Sequence, residues 1–439
     1  MASIIQPRVL KGFRDFLPET EIQRRGIVKI LEEQFRLFGF VPIDTPILEY
    51  TEVLLGKGGG ETDKQVYRFE DHGGRDVAMR FDLTVPFARF MAAHVNELYL
   101  PFKRYHMAKV FRGENTQRGR YREFMQCDFD IVGTDTASAD FEILTMMHDS
   151  FHALGVSGVT IRLSHRGIFN RFLAHRGIAK DSAEILRTVD KLSKIGSDAV
   201  LELLEEISGK ENARAILDFI GAEGDFSAVL EKMEDLAGGE DEDTRRLKDL
   251  KAAMEKCGIQ ESFVLDPSIT RGLDYYTGVV FETFLDELPQ IGSVCSGGRY
   301  NNLASLYTKQ ELPGVGASIG LDRLMAALEE IGTYGRNESP VEAMVLCMDE
   351  EGTGDFHAFA RTLRAAGIRA EVYPDPRKLG AQFGFAEKKG ALAAVLLGEE
   401  ERKAGTVTVK DLAARKNHGG LSPEEAIKLV RELTKKERN

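Results

Sequence analysis

The chain has 439 residues, 43% of them hydrophobic and 29% charged, which excludes a disordered or collagen-like polymer and suggests roughly two to four domains. Its 58 basic and 70 acidic residues leave a net charge of −12. Wholesale histone-like binding of nucleic acid is therefore excluded, and any phosphate-binding surface has to be local. Cys127, Cys257, Cys295 and Cys347 are scattered without a C-x-x-C pair, which disfavours a cysteine zinc site or a disulfide framework. The opening MASIIQPRVLKGFR lacks the apolar stretch of a secretory leader, and no run approaches the ~18 apolar residues of a membrane span. The expectation is a cytoplasmic protein.

In chain order, residues 21–38 place Ile27, Leu31, Phe35 and Phe38 at helical spacing before Gly39, and FVPIDTPILEY then reads as an extended run. GKGGG at 56–60 is a glycine loop, and Pro86 is tolerated in the first turn of a helix through Met91. Residues 104–111 and 124–132 alternate aromatic and β-branched side chains around GENTQRGRYRE, the pattern of a hairpin with a long charged tip. From about 170 to 258 proline vanishes and Glu, Lys, Leu and Ala dominate, which predicts a helical insert. Its acidic run at 240–243 is most simply a solvated loop. Strand texture returns at 262–284 and 292–300, and residues 314–330 read as a glycine-rich turn entering a helix. GTYGRNESP at 332–340 reads as a linker, and strands alternating with helices over 340–439 predict a small α/β domain.

Three stretches carry chemistry. In VFRGENTQRGRYREFMQCDFDIVG, Arg112, Arg118, Arg120 and Arg122 crowd one hairpin of an acidic chain, which suits a triphosphate or a nucleic-acid end, with Phe124 as a stacking face. Alone, the same stretch fits a solvated charged hairpin. RGLDYYTGVVFE at 271–282 joins Arg271 to Tyr275 and Tyr276, which on a strand point to opposite faces, one to the core and one to a cleft. GVGASIGLDRL at 314–324 has G-x-G spacing, but its third glycine falls one residue late for a dinucleotide fingerprint. Arg323 would instead project toward a phosphate from the first turn of a helix.

Together these motifs resemble the class II aminoacyl-tRNA synthetases, and among them the histidyl-tRNA synthetase family. GFRDFLPET at 12–20 resembles that family's amino-terminal signature, and the helix through Phe38 followed by FVPIDTP resembles class II motif 1, its dimer-forming element. FRGE…RGRYREFMQCDFD resembles motif 2, GASIGLDRL motif 3, and RGLDYYTG and SGGRY the two histidine-specific signatures. The last block, with GTVTVKDL, resembles the anticodon-binding domain.

The resemblance implies an antiparallel-sheet catalytic domain over 1–335 with the helical insert, and an α/β anticodon-binding domain over 340–439. It implies ATP-dependent activation of L-histidine followed by transfer to tRNA(His), by a homodimer, with Mg2+ bound mainly through ATP. Arg112 and Arg271 would flank the reacting phosphate as catalytic residues. Arg120 and Arg323 would hold the distal phosphates, Glu114 the nucleotide, and Phe124 would stack on adenine. Asp82, Thr84 and Gln126 would hold the amino-acid end of histidine, with Arg271 beside it. Asp130 and Tyr276 would read the imidazole, with Tyr275 and Tyr300 nearby. Gln117 and Arg118 would lie beside the acceptor end of the tRNA. Arg377, Lys378, Lys388 and Lys389 serve equally as RNA contacts or as helix-surface charges.

Two departures from the family stand out. Asp82 occupies a position where many bacterial members have Glu, and Asn301-Asn302 follows GGRY where Asp-Gly is common, which leaves the placement of Tyr300 open. The competing function is a histidine-sensing, non-catalytic regulatory subunit of histidine biosynthesis. Such proteins typically lack the carboxy-terminal domain and the ATP-binding arginines, both present here.

Overall fold

The structure is a computed structural model and describes residues 4–56, 64–269, 275–332 and 339–438. The chain divides into two units, Met1–Gly335 and Arg336–Asn439, and each encloses its own apolar core.

In the first unit the stripe Ile27, Leu31, Phe35 buries one side of helix α1 (Pro18–Leu37). The helix starts ahead of residue 21 because Pro18, with its fixed φ and no N–H to satisfy, suits the first helical position. Gly39, at φ +78°, turns the chain away. The following run is less extended than its letters suggest: β1 (Val41–Pro42) and β2 (Leu48–Tyr50) are strands joined by a loop. After α2 (Thr51–Leu55) the glycine loop falls outside the described residues. Strands β3 (Arg68–Glu70) and β4 (Asp76–Met79) join β2 in a small sheet of order β2-β4-β3. Helix α3 (Thr84–His94) follows, with Pro86 in its first turn.

The hairpin forms as β5 (Phe102–Phe111) and β6 (Glu123–Val132), in register from Phe102 opposite Val132 to Phe111 opposite Glu123. Helix α4 (Ala137–Ala153) and strand β7 (Val159–His165) lead into the insert: α5 (Arg166–His175), α6 (Ser182–Val189), α7 (Leu192–Ser208), α8 (Lys210–Ile220), α9 (Phe226–Leu236) and α10 (Glu242–Cys257). Only the first half of the acidic run, Glu240 and Asp241, is loop. Asp241 caps α10 by accepting the Thr244 N–H at 3.0 Å while the Thr244 hydroxyl accepts the Asp241 N–H at 2.9 Å. Glu242 and Asp243 then sit at the positive end of the helix dipole.

Strands β8 (Phe263–Leu265), β9 (Val279–Leu285), β10 (Cys295–Arg299) and β11 (Gly314–Gly320) precede α11 (Leu321–Ile331). Residues 314–320, read as a turn, are thus a central strand. The main sheet runs β1-β5-β6-β11-β10-β9-β7-β8. Its interior pairs are antiparallel, and the edge strands β1 and β8 pair parallel. On one face Cys127, Phe129, Ile131, Val315 and Ile319 share a core with Phe35 of α1 and Met147 of α4. On the other, Val85, Phe87 and Met91 of α3 pack with Tyr300, Leu303 and Leu312. Arg299, fully buried at the end of β10, donates from Nε to Asp140 of α4 at 2.8 Å and from Nη1 to the Thr134 carbonyl at 3.1 Å.

The second unit comprises β12 (Ala343–Val345), α12 (Thr353–Ala365), β13 (Ala370–Val372), α13 (Leu379–Lys388), β14 (Ala393–Leu396), α14 (Glu399–Ala404), β15 (Val407–Asp411), β16 (Lys416–Leu421) and α15 (Pro423–Arg438). Its sheet runs β13-β12-β14-β15-β16, parallel among the first three and antiparallel beyond.

Candidate active site

Strand alternation builds the floor of the site. In β6, Cys127, Phe129 and Ile131 face the core, so Gln126, Asp128 and Asp130 face the other way. In β11 the partners of those three residues are Gly320, Ser318 and Gly316. The absent side chains matter. A Cβ on Gly316 would lie 2.0 Å from Asp130 Oδ1, and one on Gly298 2.9 Å from the Tyr276 ring. Glycine is needed there because Asp130 of the neighbouring strand fills the space at 316, and the Val279 carbonyl and the Tyr276 ring fill it at 298.

On this floor lie two adjoining chambers. The smaller, about 140 Å³, is walled by Arg112, Glu114, Arg120, Tyr121, Phe124 and Arg323. The larger, about 310 Å³, is walled by Asp82, Thr84, Asp130, Tyr275, Tyr276 and Tyr300. Arg112, Gln126, Ser318 and Arg323 border both. Every residue that the resemblance assigns to ATP or to histidine therefore lines this cleft, except Arg271, which lies outside the described residues.

The smaller chamber is cationic. Arg112 is held by its Nε donating to the Phe81 carbonyl at 2.9 Å, and its guanidinium lies 5.1 Å from the centre of the Phe124 ring. Arg323, in the first turn of α11, donates from Nη1 to the Ser293 carbonyl at 2.6 Å. Burial, then the charge of Arg120, brings its pKa down to about 10, so it stays charged at neutral pH. The other hairpin arginines do not converge on the chamber. Arg118 pairs with Glu330 at 2.7 Å, and Arg122 Nε donates to the Glu114 carbonyl at 3.2 Å. At the chamber's back, Asp322 binds the Arg14 guanidinium and accepts the Met125 N–H at 2.7 Å. The amino-terminal signature is thereby tied to α11.

The larger chamber is acidic. Asp82 caps α3, its Oδ1 accepting the Val85 N–H at 3.1 Å, and burial pushes its pKa up to about 6. Asp130 carries the Tyr300 hydroxyl on Oδ1, and its Oδ2 lies 2.7 Å from the buried guanidinium of Arg104. Burial raises Asp130 while Arg104 opposes the shift. Beneath the floor, burial pushes Asp128 up to about 7. Burial also raises Tyr275, Tyr276 and Tyr300, which keeps these hydroxyls protonated and able to donate.

Tyr275 and Tyr276 do not divide between core and cleft. They precede β9 in a turn where strand alternation does not apply, and their rings meet edge to face at 4.9 Å, both lining the chamber. The Asn301-Asn302 departure leaves Tyr300 undisturbed. Asn302 adopts φ −108° and ψ 0°, open to any residue, and Asn301 accepts from Arg299 at 3.1 Å and donates to Asp135 at 2.7 Å. Sequence reading passed over Arg104, Asp128, Glu282, Ser293 and Ser318. Of these, Ser318 shares the parity of Gly314 and Gly316 in the strand, a signal hidden once the stretch was taken for a turn. In the second unit, Arg377 pairs with Asp375 at 3.4 Å and Lys389 with Glu371 at 2.6 Å.

Residues 12–324, which span every described side chain of the cleft, match the family model described as histidyl-tRNA synthetase. The chain belongs to the histidyl-tRNA synthetase family. Residues 342–433 match the model described as an anticodon binding domain. A histidine–tRNA ligase of Treponema denticola is 57% identical over 395 residues, covering 89% of this chain and 88% of the relative. One of Rhodopirellula baltica is 46% identical over 441 residues, covering 98% and 100%. The crystal structure of histidyl-tRNA synthetase from a Nostoc species matches with a TM-score of 0.86 at 31% identity, covering 99% of this chain and all of that one. The histidyl-tRNA synthetase fold is that of class II enzymes, a large sheet-based catalytic unit with a separate sheet-and-helix unit behind it in the chain, and its activity consumes ATP. Among the described residues no helix is long and apolar enough to cross a membrane.

Proposed function

We propose that this chain is a histidine–tRNA ligase, and that the cleft between the polar face of β6, β10 and β11 and the hairpin tip is where it activates histidine. One observation carries the reading: an arginine-walled chamber opens onto a carboxylate-floored one across shared residues. The arginines Arg112, Arg120 and Arg323, which border both chambers, offer a place to a polyanion, and Asp82 and Asp130, which line only the larger, offer one to an ammonium.

In the first step an oxygen of the histidine carboxylate bonds to the α-phosphorus of ATP. The bond from that phosphorus to its bridging oxygen breaks, and pyrophosphate leaves with the electron pair. Charge builds on the non-bridging oxygens, where fixed cations stabilise it best. Arg112 would supply one, and Arg271, on the strength of the resemblance, the other. Arg120 and Arg323 would hold the distal phosphates, Glu114 the nucleotide, and Phe124 would stack on adenine. Asp82, Thr84 and Gln126 would bind the amino-acid end. Asp130 and Tyr276 would pair with the imidazole nitrogens, with Tyr275 and Tyr300 closing the pocket. A pocket of matched buried donors and acceptors rejects apolar side chains of equal size strongly. The 3′-hydroxyl of the tRNA would then attack the adenylate carbonyl and release AMP.

Mg2+ would enter on the ATP phosphates and neutralise their charge. Among the described residues no group of three His, Cys, Asp or Glu side chains is placed to hold a metal ion. Glu114 and Glu282 in the cleft wall offer hard oxygen donors suited to an ion shared with phosphate. Residues 1–335 would form the catalytic domain and 340–439 the anticodon-binding domain of a cytoplasmic enzyme. A homodimer formed through motif 1 accords with the exposed Leu37 in that element and the exposed Ile47, Leu48 and Tyr50 just after it.

The regulatory-subunit reading is weaker, because the ligases named above match over nearly the whole length, carboxy-terminal unit included. The test is histidine- and tRNA(His)-dependent aminoacylation by the purified protein. Charging of the tRNA 3′ end with histidine is the expected result, and histidine binding without charging would favour the regulator.

A further inference from the structure

With ATP placed in the smaller chamber, which rests on the function just proposed, its affinity depends on how the two chamber walls are spaced. One wall is the hairpin tip, with Arg120, Tyr121 and Phe124, and the other is the start of α11, with Arg323. They meet at Gly119, where φ is +70° and a Cβ would lie 3.3 Å from the Arg323 Cα. The ion pair of Arg118 with Glu330 also joins them, but an exposed pair of this kind holds little.

The segment ahead of α1 supplies a further link. The Gly12 carbonyl accepts the Arg122 N–H at 2.8 Å, and Gly12, at φ +87°, leaves no room for a side chain: a Cβ would lie 2.7 Å from Arg122 Cγ. Two residues on, the Arg14 guanidinium carbon lies 3.8 Å from the centre of the Tyr121 ring and 4.4 Å from that of Phe16. The same guanidinium binds the carboxylate of Asp322, whose other oxygen accepts the Met125 N–H at 2.7 Å. Asp322 is only 3% exposed, and among the described residues Arg14 is the one cation within ion-pair distance of it. Arg14 thus touches Tyr121 on one wall and the residue before Arg323 on the other, yet lines neither chamber itself. A guanidinium suits the place. Its planar fork pairs with a carboxylate while its flat face stacks on a ring, and an ammonium, a compact point charge, offers no such face.

We propose that Arg14 is a positioning residue of the ATP chamber: by gripping Tyr121 and Asp322 together, it sets the distance between the hairpin tip and Arg323 at which a polyphosphate is held.

The test is the steady-state kinetics of histidine-dependent ATP–pyrophosphate exchange by the full chain. Arg14→Ala should raise the KM for ATP about tenfold, the range of a desolvated cation–π contact, and move the KM for histidine far less. Arg14→Lys keeps a charge opposite Asp322 and loses the flat stack. It should raise the KM for ATP about threefold, and that rise should vanish in a Tyr121→Leu background, where no ring is left to hold. Where circular dichroism shows Arg14→Ala to be unfolded, Arg14→Lys decides alone. Equal rises in the KM for ATP and for histidine would mark a packing role and overturn the proposal. A wild-type KM for ATP in Arg14→Lys, or a full Arg14→Lys effect in the Tyr121→Leu background, would overturn it too. Wild-type protein without any histidine-dependent exchange would instead overturn the proposed function, and the role of Arg14 with it.

Discussion

Asp82 binds its own helix and, in the proposed function, the substrate; both roles favour its charged form, and burial opposes them. Its Oδ1 caps α3, while burial lifts its pKa from an ordinary 3.8 to about 6. The folded chain therefore favours the protonated carboxyl. The stability this group contributes is complete below about pH 4 and is lost as pH rises through about 6, an effect on the order of 2–3 kcal/mol. Asp82→Asn keeps a capping oxygen and removes the charge. Its melting temperature should rise relative to wild type between pH 5 and 7.5 in the absence of histidine, measured by differential scanning calorimetry. A difference independent of pH would contradict the assignment of a buried, uncompensated charge. The letters RFDLT made Asp82 a candidate through resemblance, but gave no hint of this cost. The chamber that Asp82 lines is also walled by Tyr275 and Tyr300, distant in sequence.

Strand β11 is where sequence reading and structure part most clearly. A half-buried strand announces itself by apolar residues alternating with polar ones. Here the alternate positions are Gly314, Gly316 and Ser318, so GVGASIG looks like a turn. The glycines answer to neighbours: a Cβ at 316 meets Asp130 Oδ1 at 2.0 Å and the Phe129 carbonyl at 2.8 Å. Gly316→Ala should leave the fold intact by circular dichroism, cost about 1–3 kcal/mol of stability through overpacking, and raise the KM for histidine far more than that for ATP. Unchanged histidine kinetics would mean that Asp130 is free to move and does not define the pocket. The hairpin β5–β6 was legible because its core-facing half is regularly apolar. The last edge strand, KNHGGL, was not, since it is polar and largely exposed, and α14 is too short to set up a helical period.

At the scale of the molecule, the division into two units follows composition: the Gly-, Ser- and Asn-rich segment before Pro340 separates two independent apolar cores. Deleting residues 340–439 should preserve most histidine-dependent adenylate formation while tRNA charging falls severely. Equal loss in both assays would count against assigning anticodon binding to the second unit. The net charge of −12 is no obstacle to an ATP site, because Arg112, Arg120 and Arg323 gather at short range, where desolvation strengthens their field. Composition alone gave no sign of that clustering, which requires β6 and α11 to meet. The central claim, that one cleft brings ATP and histidine together for reaction, is tested most directly by amino-acid-dependent exchange of labelled pyrophosphate into ATP across the twenty standard amino acids. Exchange driven by L-histidine alone, and abolished in Arg112→Ala, is the predicted result. Exchange with another amino acid, or histidine binding with no exchange at all, would contradict it.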